Sequence, residues 1–400
     1  MPRRLSYLSV LLIALSIGTF TPSVAGQEPA PPEVPFPKGD IGLATLQSRQ
    51  KVQLETAKQF KVFYQFHFKD ELQQSGITFR HRILPYVAEQ YMQNHYDHGT
   101  GLAVADVDGD GLYDIYFVNQ VGGNELWKNL GNGKFKNITE EAGVGLKDRI
   151  SVSAAFADID NSGREDLFVT TVNQGNVLFQ NDGHGHFKDI TQEAGVGLAA
   201  HSSGVVFFDY DNDGLLDLFV ANGHVYPGVD KQDWGTTWAQ RPLLLRNLDG
   251  MKFQEVPPAT GSGLAAVITG RGAAFGDLFN DGRIDVVINS VDSKPTLLRN
   301  VVKNSNHWVT LKLVGGPKSP RDAIGAKAFV TAGGFRQRGD VFSGGSYASS
   351  SDQRLHFGLG TSTQVDNVEI HWPSGVREQI TLPEVDRIYT VVEGKGIAQR

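Results

Sequence analysis

Cysteine is absent from the 400 residues, which excludes disulfide staples and a lipid-modified thiol at a processing site. Positive charge is not gathered anywhere. The formal net charge is −7, and no basic stripe marks the chain for nucleic acid. Beyond the first residues there is no apolar run long enough to cross a bilayer. Helix signals are few. What is present instead is 46 Gly and 23 Phe. Many turns and many aromatics predict an all-β chain, and this length can bury a large core.

The first residues carry Arg3-Arg4, an apolar run from Leu8 to Ile17, and the small residues Ser23-Val-Ala25-Gly26. This is the layout of a secretory signal, so residues 1–26 are expected to be removed. The mature chain is expected in the periplasm or outside the cell, with no transmembrane segment. Five prolines between Gln27 and Gly39 read as a linker, and residues 44–60 as a short helix, within a stretch 27–60. Val62, Tyr64, Phe66 and Phe68 alternate as in a strand.

One acidic loop is written four times. Its copies are Asp106-Val-Asp108-Gly-Asp110-Gly-Leu112-Tyr-Asp114, Asp158-Ile-Asp160-Asn-Ser162-Gly-Arg164-Glu-Asp166, Asp209-Tyr-Asp211-Asn-Asp213-Gly-Leu215-Leu-Asp217 and Asp277-Leu-Phe279-Asn-Asp281-Gly-Arg283-Ile-Asp285. Side chains at alternate positions of a tight loop converge, and converging carboxylates repel unless a cation lies among them. Oxygens at positions 1, 3, 5 and 9 suit a hard ion with six to eight oxygen ligands, which points to Ca²⁺. The backbone carbonyls of Leu112, Arg164, Leu215 and Arg283 at position 7 add a further ligand each. Ser162 makes the second site weaker in charge. Phe279 replaces a carboxylate in the fourth, which is expected to be weak or empty.

These are not EF-hands, which close with Glu at position 12 between two helices. Here each loop runs into a strand-like segment: Ile115-Tyr-Phe-Val118, Leu167-Phe-Val169, Leu218-Phe-Val220 and Val286-Val-Ile288. Asp106, Asp158, Asp209 and Asp277 are 52, 51 and 68 residues apart. Downstream of the first loop lies Leu126-Trp-Lys-Asn129-Leu-Gly-Asn-Gly133-Lys-Phe135, repeated as Leu178-Phe-Gln-Asn181-Asp-Gly-His-Gly185-His-Phe187, and its Asn/Gly cluster predicts a hairpin. Each period thus holds four short strands, the content of a propeller blade. Residues 61–302 are read as a propeller of four or five visible blades. Gly76-Ile-Thr-Phe79 is read as an outer strand that completes the last blade. An insertion from Gly223 to Arg241, with Trp234 and Trp238, is expected to project as a lip. From Asn306 the acidic loops stop, and recurring strand-like runs predict a C-terminal β-sandwich-like domain over 303–400.

Residues 100–300 resemble FG-GAP/VCBS-type repeats. Residues 306–393 resemble the ASPIC/UnbV domain found in cartilage acidic proteins and enediyne-biosynthesis proteins. The second likeness rests on Arg321-Asp-Ala-Ile-Gly325-Ala326, Gly344-Gly-Ser-Tyr347-Ala-Ser349-Ser-Ser-Asp352, Leu355-His-Phe357-Gly-Leu-Gly360 and His371-Trp372-Pro373-Ser-Gly375. It implies an exported calcium-binding propeller whose C-terminal domain has no defined activity. Phe279 and the short repeat count depart from that pattern. The expected function is a non-enzymatic binding, adhesion or scaffold module for an extracellular protein or glycan. The other reading is an enzyme or accessory protein of a secreted biosynthetic or polysaccharide-processing pathway. For chemistry of that kind, the Ser-rich stretch Ser343–Asp352 with His356 and His371 is the candidate, and no catalytic residue is assigned. His95 and His98 offer a weak transition-metal pattern.

Overall fold

Each acidic loop joins two antiparallel strands, and in the second and third blades the strand after the loop is buried on both faces. A computed structural model describes residues 43–56, 59, 69–84 and 101–398, apart from 173, 199, 201, 234, 260 and 261. The signal segment, the strand expected at 62–68, His95, His98 and Trp234 lie outside the described residues. Residues Met1–Lys69 and Asp70–Arg400 are separate compact units. The first contributes a helix, α1 (Leu43–Thr56).

In the second unit the first blade is β1 (Leu102–Ala105), β2 (Asp114–Phe117), β3 (Glu125–Gly131) and β4 (Lys134–Asn137), hydrogen-bonded in that order. The second is β5 (Ser151–Ala157), β6 (Asp166–Thr171), β7 (Val177–Asn181) and β8 (Phe187–Asp189). The third is β9 (Ser202–Phe208), β10 (Asp217–Asn222), β11 (Leu243–Asn247) and β12 (Phe253–Glu255). The fourth has three strands, β13 (Gly270–Gly276), β14 (Asp285–Ser290) and β15 (Thr296–Leu298). All pairings within blades are antiparallel, and the first strands of successive blades lie side by side.

The cores lie between blades. Leu167 and Val169 of β6 join Val107, Tyr116 and Leu126 of the first blade, while Phe168 turns the other way to Leu218 and Val220 of the third. Phe219 in turn packs with Ile284, Val286 and Ile288. Strands sandwiched this way must be apolar at every position, which is why these runs lack polar alternation. The meander of antiparallel blades is propeller-like, with four blades among the described residues.

The segment at 76–84 forms no strand there and does not complete the last blade. It lies along the first: Phe79 stacks on Phe117 with ring centroids 4.6 Å apart, and the Arg82 amide donates to Asn119 Oδ1 at 2.8 Å. The insertion after β10 folds back, with the His224 amide donating to the Trp238 carbonyl at 2.8 Å and Val225 packed beside Ile150 and Val172.

After the fourth blade come two facing four-stranded sheets. One holds β16 (His307–Val314), β21 (Leu355–Gly360), β24 (Arg387–Val392) and β25 (Gly396–Ile397). The other holds β17 (Lys327–Ala332), β18 (Phe335–Asp340), β22 (Asn367–His371) and β23 (Arg377–Ile380). Val309, Leu311, Val330, Phe357, Ile370 and Trp372 fill the space between them. Strand 307–314 therefore belongs to this sandwich rather than to the fourth blade. A small hairpin, β19 (Gly345–Ser346) with β20 (Ser349–Ser350), leaves the sandwich and reaches the inner strands β5, β9 and β13.

Candidate metal centres

Because each loop links the first and second strands of a blade, all four loops take the same backbone course, and their carboxylates fall into fixed roles. Position 9 is a backbone clamp. Asp114, Asp166, Asp217 and Asp285 each accept the amide of position 2 on one oxygen and the amide of an Asn on, or just past the end of, the blade's third strand on the other; for Asp217 these are Tyr210 at 2.9 Å and Asn247 at 2.7 Å. Position 1 holds the turn: Asp158, Asp209 and Asp277 accept the amides of positions 5 and 6, and Asp106 accepts that of Gly111. The sequence treated positions 1, 3, 5 and 9 as equivalent ligands, whereas these backbone bonds distinguish them.

Three loops gather ligand oxygens within 4.8 Å of one another: Asp106, Asp108 and Asp114; Asp158, Asp160 and Asp166; Asp209, Asp211 and Asp217. The fourth, with Phe279 at position 3, forms no such group among the described residues. Two carboxylate oxygens, Asp106 Oδ1 and Asp211 Oδ1, are buried with no hydrogen-bond partner. Buried oxygens are rarely left unpaired without a reason. Burial, reinforced by neighbouring carboxylates, pushes Asp114 and Asp158 up to about 6, Asp166 to about 8 and Asp217 to about 9. Burial also raises Asp209 well above the usual carboxylate range, and Asp213 and Asp285 by less. Without a cation, ionised carboxylates this crowded oppose the fold. The donor set is all oxygen and anionic, so it fits a hard divalent ion.

Features the sequence reading missed surround the loops. The residue before each third-strand Asn turns toward positions 3 and 5. Lys128 pairs with Asp108 and lies 3.4 Å from Asp110, and Arg246 binds Asp211 at 2.7 Å and Asp213 at 2.9 Å. Arg299 lies 3.2 Å from Asp281 and 4.1 Å over the Phe279 ring, and Arg283 also reaches Asp281. In the second loop the same place holds Gln180, which donates to Asp160 at 2.9 Å. Asn at position 4 of loops two and three bridges to the next loop: Asn161 Nδ2 donates to the Gly214 carbonyl at 2.8 Å, and Asn212 Nδ2 to that of Gly282 at 2.9 Å.

The sandwich rests on these loops. Arg338, bound to Asp340, donates to the Gly163 carbonyl and to Glu165 at 3.0 Å. Burial raises Glu165 to about 7 despite that guanidinium. Arg354 reaches the Asp277 carbonyl and Asn280, and His356 bonds Thr310 and Asn212, each at 2.8 Å. Gly358 is needed here, since a Cβ would come 2.0 Å from Asp209 Oδ2. Gly282 combines φ +79 with the Trp308 ring directly over it. The Ser-rich stretch forms the inner hairpin: Asp352 donates its amide to the Phe275 carbonyl at 2.9 Å, and Ser351 Oγ accepts the Phe275 amide. His356 is thus committed to Thr310 and Asn212, and His371 lies 2.6 Å from Glu369; neither is bonded to a serine of that stretch.

Among the described residues, no helix is long and apolar enough to cross a membrane. A family model for FG-GAP-like repeats matches residues 106–169 and 158–220, and one for ASPIC and UnbV matches 316–398. Cartilage acidic protein 1 of Xenopus tropicalis is 27% identical over 305 residues, covering 73% of this chain and 44% of the relative. The Mus musculus protein of the same name is 26% identical over 317 residues, covering 76% and 47%. The chain therefore spans about half the length of the curated relatives it matches. A solved complex of BBS1N with ARL6DN, soaked with lead, aligns over 72% of this chain and 70% of its own at 12% identity, with a TM-score of 0.29. That likeness is too loose to build on.

Proposed function

This chain joins FG-GAP-like repeats to an ASPIC and UnbV domain, and from that premise we propose an exported, calcium-stabilised scaffold that binds an extracellular protein or glycan. The calcium reading is carried by one observation: in two of the three carboxylate groups an anionic oxygen is buried with nothing to meet it. Asp106, Asp108, Asp110 and Asp114, with the Leu112 carbonyl, would hold one ion. Asp158, Asp160, Ser162 and Asp166, with the Arg164 carbonyl, would hold a second, and Asp209, Asp211, Asp213 and Asp217, with that of Leu215, a third. Asp277, Asp281, Asp285 and the Arg283 carbonyl remain the weakest set, because Arg299 and Arg283 already neutralise Asp281. Bound calcium supplies charge neutralisation and fixes the loop backbone. The chain's own residues do the rest: position-9 carboxylates hold the strand ends, and the bridging asparagines and Arg338 carry the loop geometry to the sandwich.

The binding role is supported by a rigid repeat scaffold bearing exposed loops, the usual site of recognition. Thermal unfolding of the mature chain in millimolar CaCl2 and in chelator tests the metal. Each ion bound only by the folded state adds roughly 2.7 kcal/mol at a hundredfold excess over Kd, so the midpoint should rise by several degrees. Equal midpoints overturn the calcium reading. A glycan and protein binding screen with and without calcium tests the partner, and no calcium-dependent ligand in it would count against the scaffold role.

A further inference from the structure

On or just after the third strand of every blade lies one residue, just before its Asn, whose side chain turns to the acidic loop of its own blade. In chain order it is Lys128, Gln180, Arg246 and Arg299. The placement follows from the strand register. The Asn donates its amide to the position-9 carboxylate and, in the second to fourth blades, its side-chain amide to the loop of the preceding blade, as Asn247 does to Asp217 and to the Ile159 carbonyl. Alternation along the strand sends the preceding side chain to the opposite face, over positions 3 and 5. There Arg246 meets Asp211 and Asp213, and its guanidinium takes Asp211 Oδ2 while Oδ1 stays unpartnered. Lys128 pairs likewise with Asp108 and Asp110, and the unpartnered oxygen of that loop is Asp106 Oδ1. Gln180 gives Asp160 a single neutral hydrogen bond.

We propose that this position is an internal counter-ion that sets the calcium affinity of each loop. The proposal rests on the reading of the loops as calcium sites. A resident cation lowers the repulsion of an empty loop, and the same cation opposes a divalent ion at the same oxygens. The loops then rank by that residue's charge. The second, with neutral Gln180, fills first, although Ser162 gives it one carboxylate fewer. The first and third fill later. The fourth, where Arg299 and Arg283 converge on Asp281 and Phe279 supplies no oxygen, stays closed to calcium.

The test isolates the third loop. Asp108→Asn and Asp160→Asn silence the first two, and CaCl2 titration calorimetry compares that chain with the same chain carrying Arg246→Gln. Loss of the charge-assisted bonds to Asp211 and Asp213 should tighten Kd by about tenfold. In chelator the Arg246→Gln chain should melt lower, and the gain from calcium should be larger. A merely structural Arg246 would lower both midpoints together. Gln180→Lys in the otherwise unaltered chain is the converse and should weaken the first calcium to bind by about tenfold. Should the doubly silenced chain fail to fold, this variant alone decides. Calcium binding that Arg246→Gln leaves unchanged or weakens, or that Gln180→Lys leaves unchanged, overturns the counter-ion while the calcium reading stands. No heat from any chain, the unaltered one included, overturns both.

Discussion

At the residue scale, carboxylates that look alike in the sequence divide into those held by two backbone amides and those with an oxygen left free. Asp217 receives two backbone amides and is fully buried, whereas Asp211 keeps one oxygen free. Asp217→Ala is expected to cost about 2–5 kcal/mol with or without calcium, because two buried donors lose their acceptor. Asp211→Ala should cost much more in calcium than in chelator, where it removes only the pair with Arg246. Urea unfolding of both variants in calcium and in chelator separates the two, and matching profiles would contradict the division. His356 adds a pH dependence. Burial, helped by nearby Arg354, depresses it to about 4, against about 6.5 in an unfolded chain. Between those values the unfolded state binds the extra proton, so this contribution is complete above pH 6.5 and is lost as pH falls toward 4. His356→Gln should flatten that part of the midpoint–pH curve; a difference between the two chains that does not vary with pH would contradict the assignment. That acidic side chains converge in the first three loops was legible from spacing alone. Their division was not, because it depends on which backbone amides the fold brings to each oxygen. The Lys128, Gln180, Arg246 and Arg299 position carried a signal, a fixed place before each repeated Asn, that only the strand register explains.

At the scale of elements, the strands after the loops were legible because inter-blade burial leaves no polar alternation to confuse them. In the sandwich, β16, β17, β21, β22 and β24 were readable from their largely apolar or alternating runs. Strand β18, Phe335–Asp340, was not, because its polar side chains Arg338 and Asp340 serve the contact with the second loop. The segment Gly76–Phe79 was misplaced for a related reason: its Phe79 imitates a blade residue, but it packs on Phe117 from outside the ladder. The loop-to-loop bridges make their own prediction. Asn212 has φ +62 and joins His356 to Gly282. Asn212→Ala should lose about 2–3 kcal/mol, combining backbone strain with two lost hydrogen bonds, and Asn212→Gly about 1–2 kcal/mol, since strain is relieved while the bonds are not restored. Denaturant midpoints check this, and wild-type stability in Asn212→Gly would show that the bridge carries nothing.

At the scale of the whole molecule, blades and sandwich within Asp70–Arg400 act as one body because the acidic loops are also the surface on which the sandwich rests. Gly163, Glu165, Asn212, Asp277 and Asn280 each meet a sandwich side chain. The propeller-like order and the C-terminal sandwich could be read from repeat period and strand pattern. Their docking could not, since contacts between loops and a remote strand leave no local periodicity. Everything in this account turns on the loops holding calcium in three copies rather than four. Equilibrium dialysis of the mature chain against millimolar radiolabelled calcium measures that number directly. Three ions per chain, falling to two in Asp211→Ala and remaining three in Asp281→Ala, is the predicted result; no bound calcium, or four ions with equal losses in both variants, would contradict it.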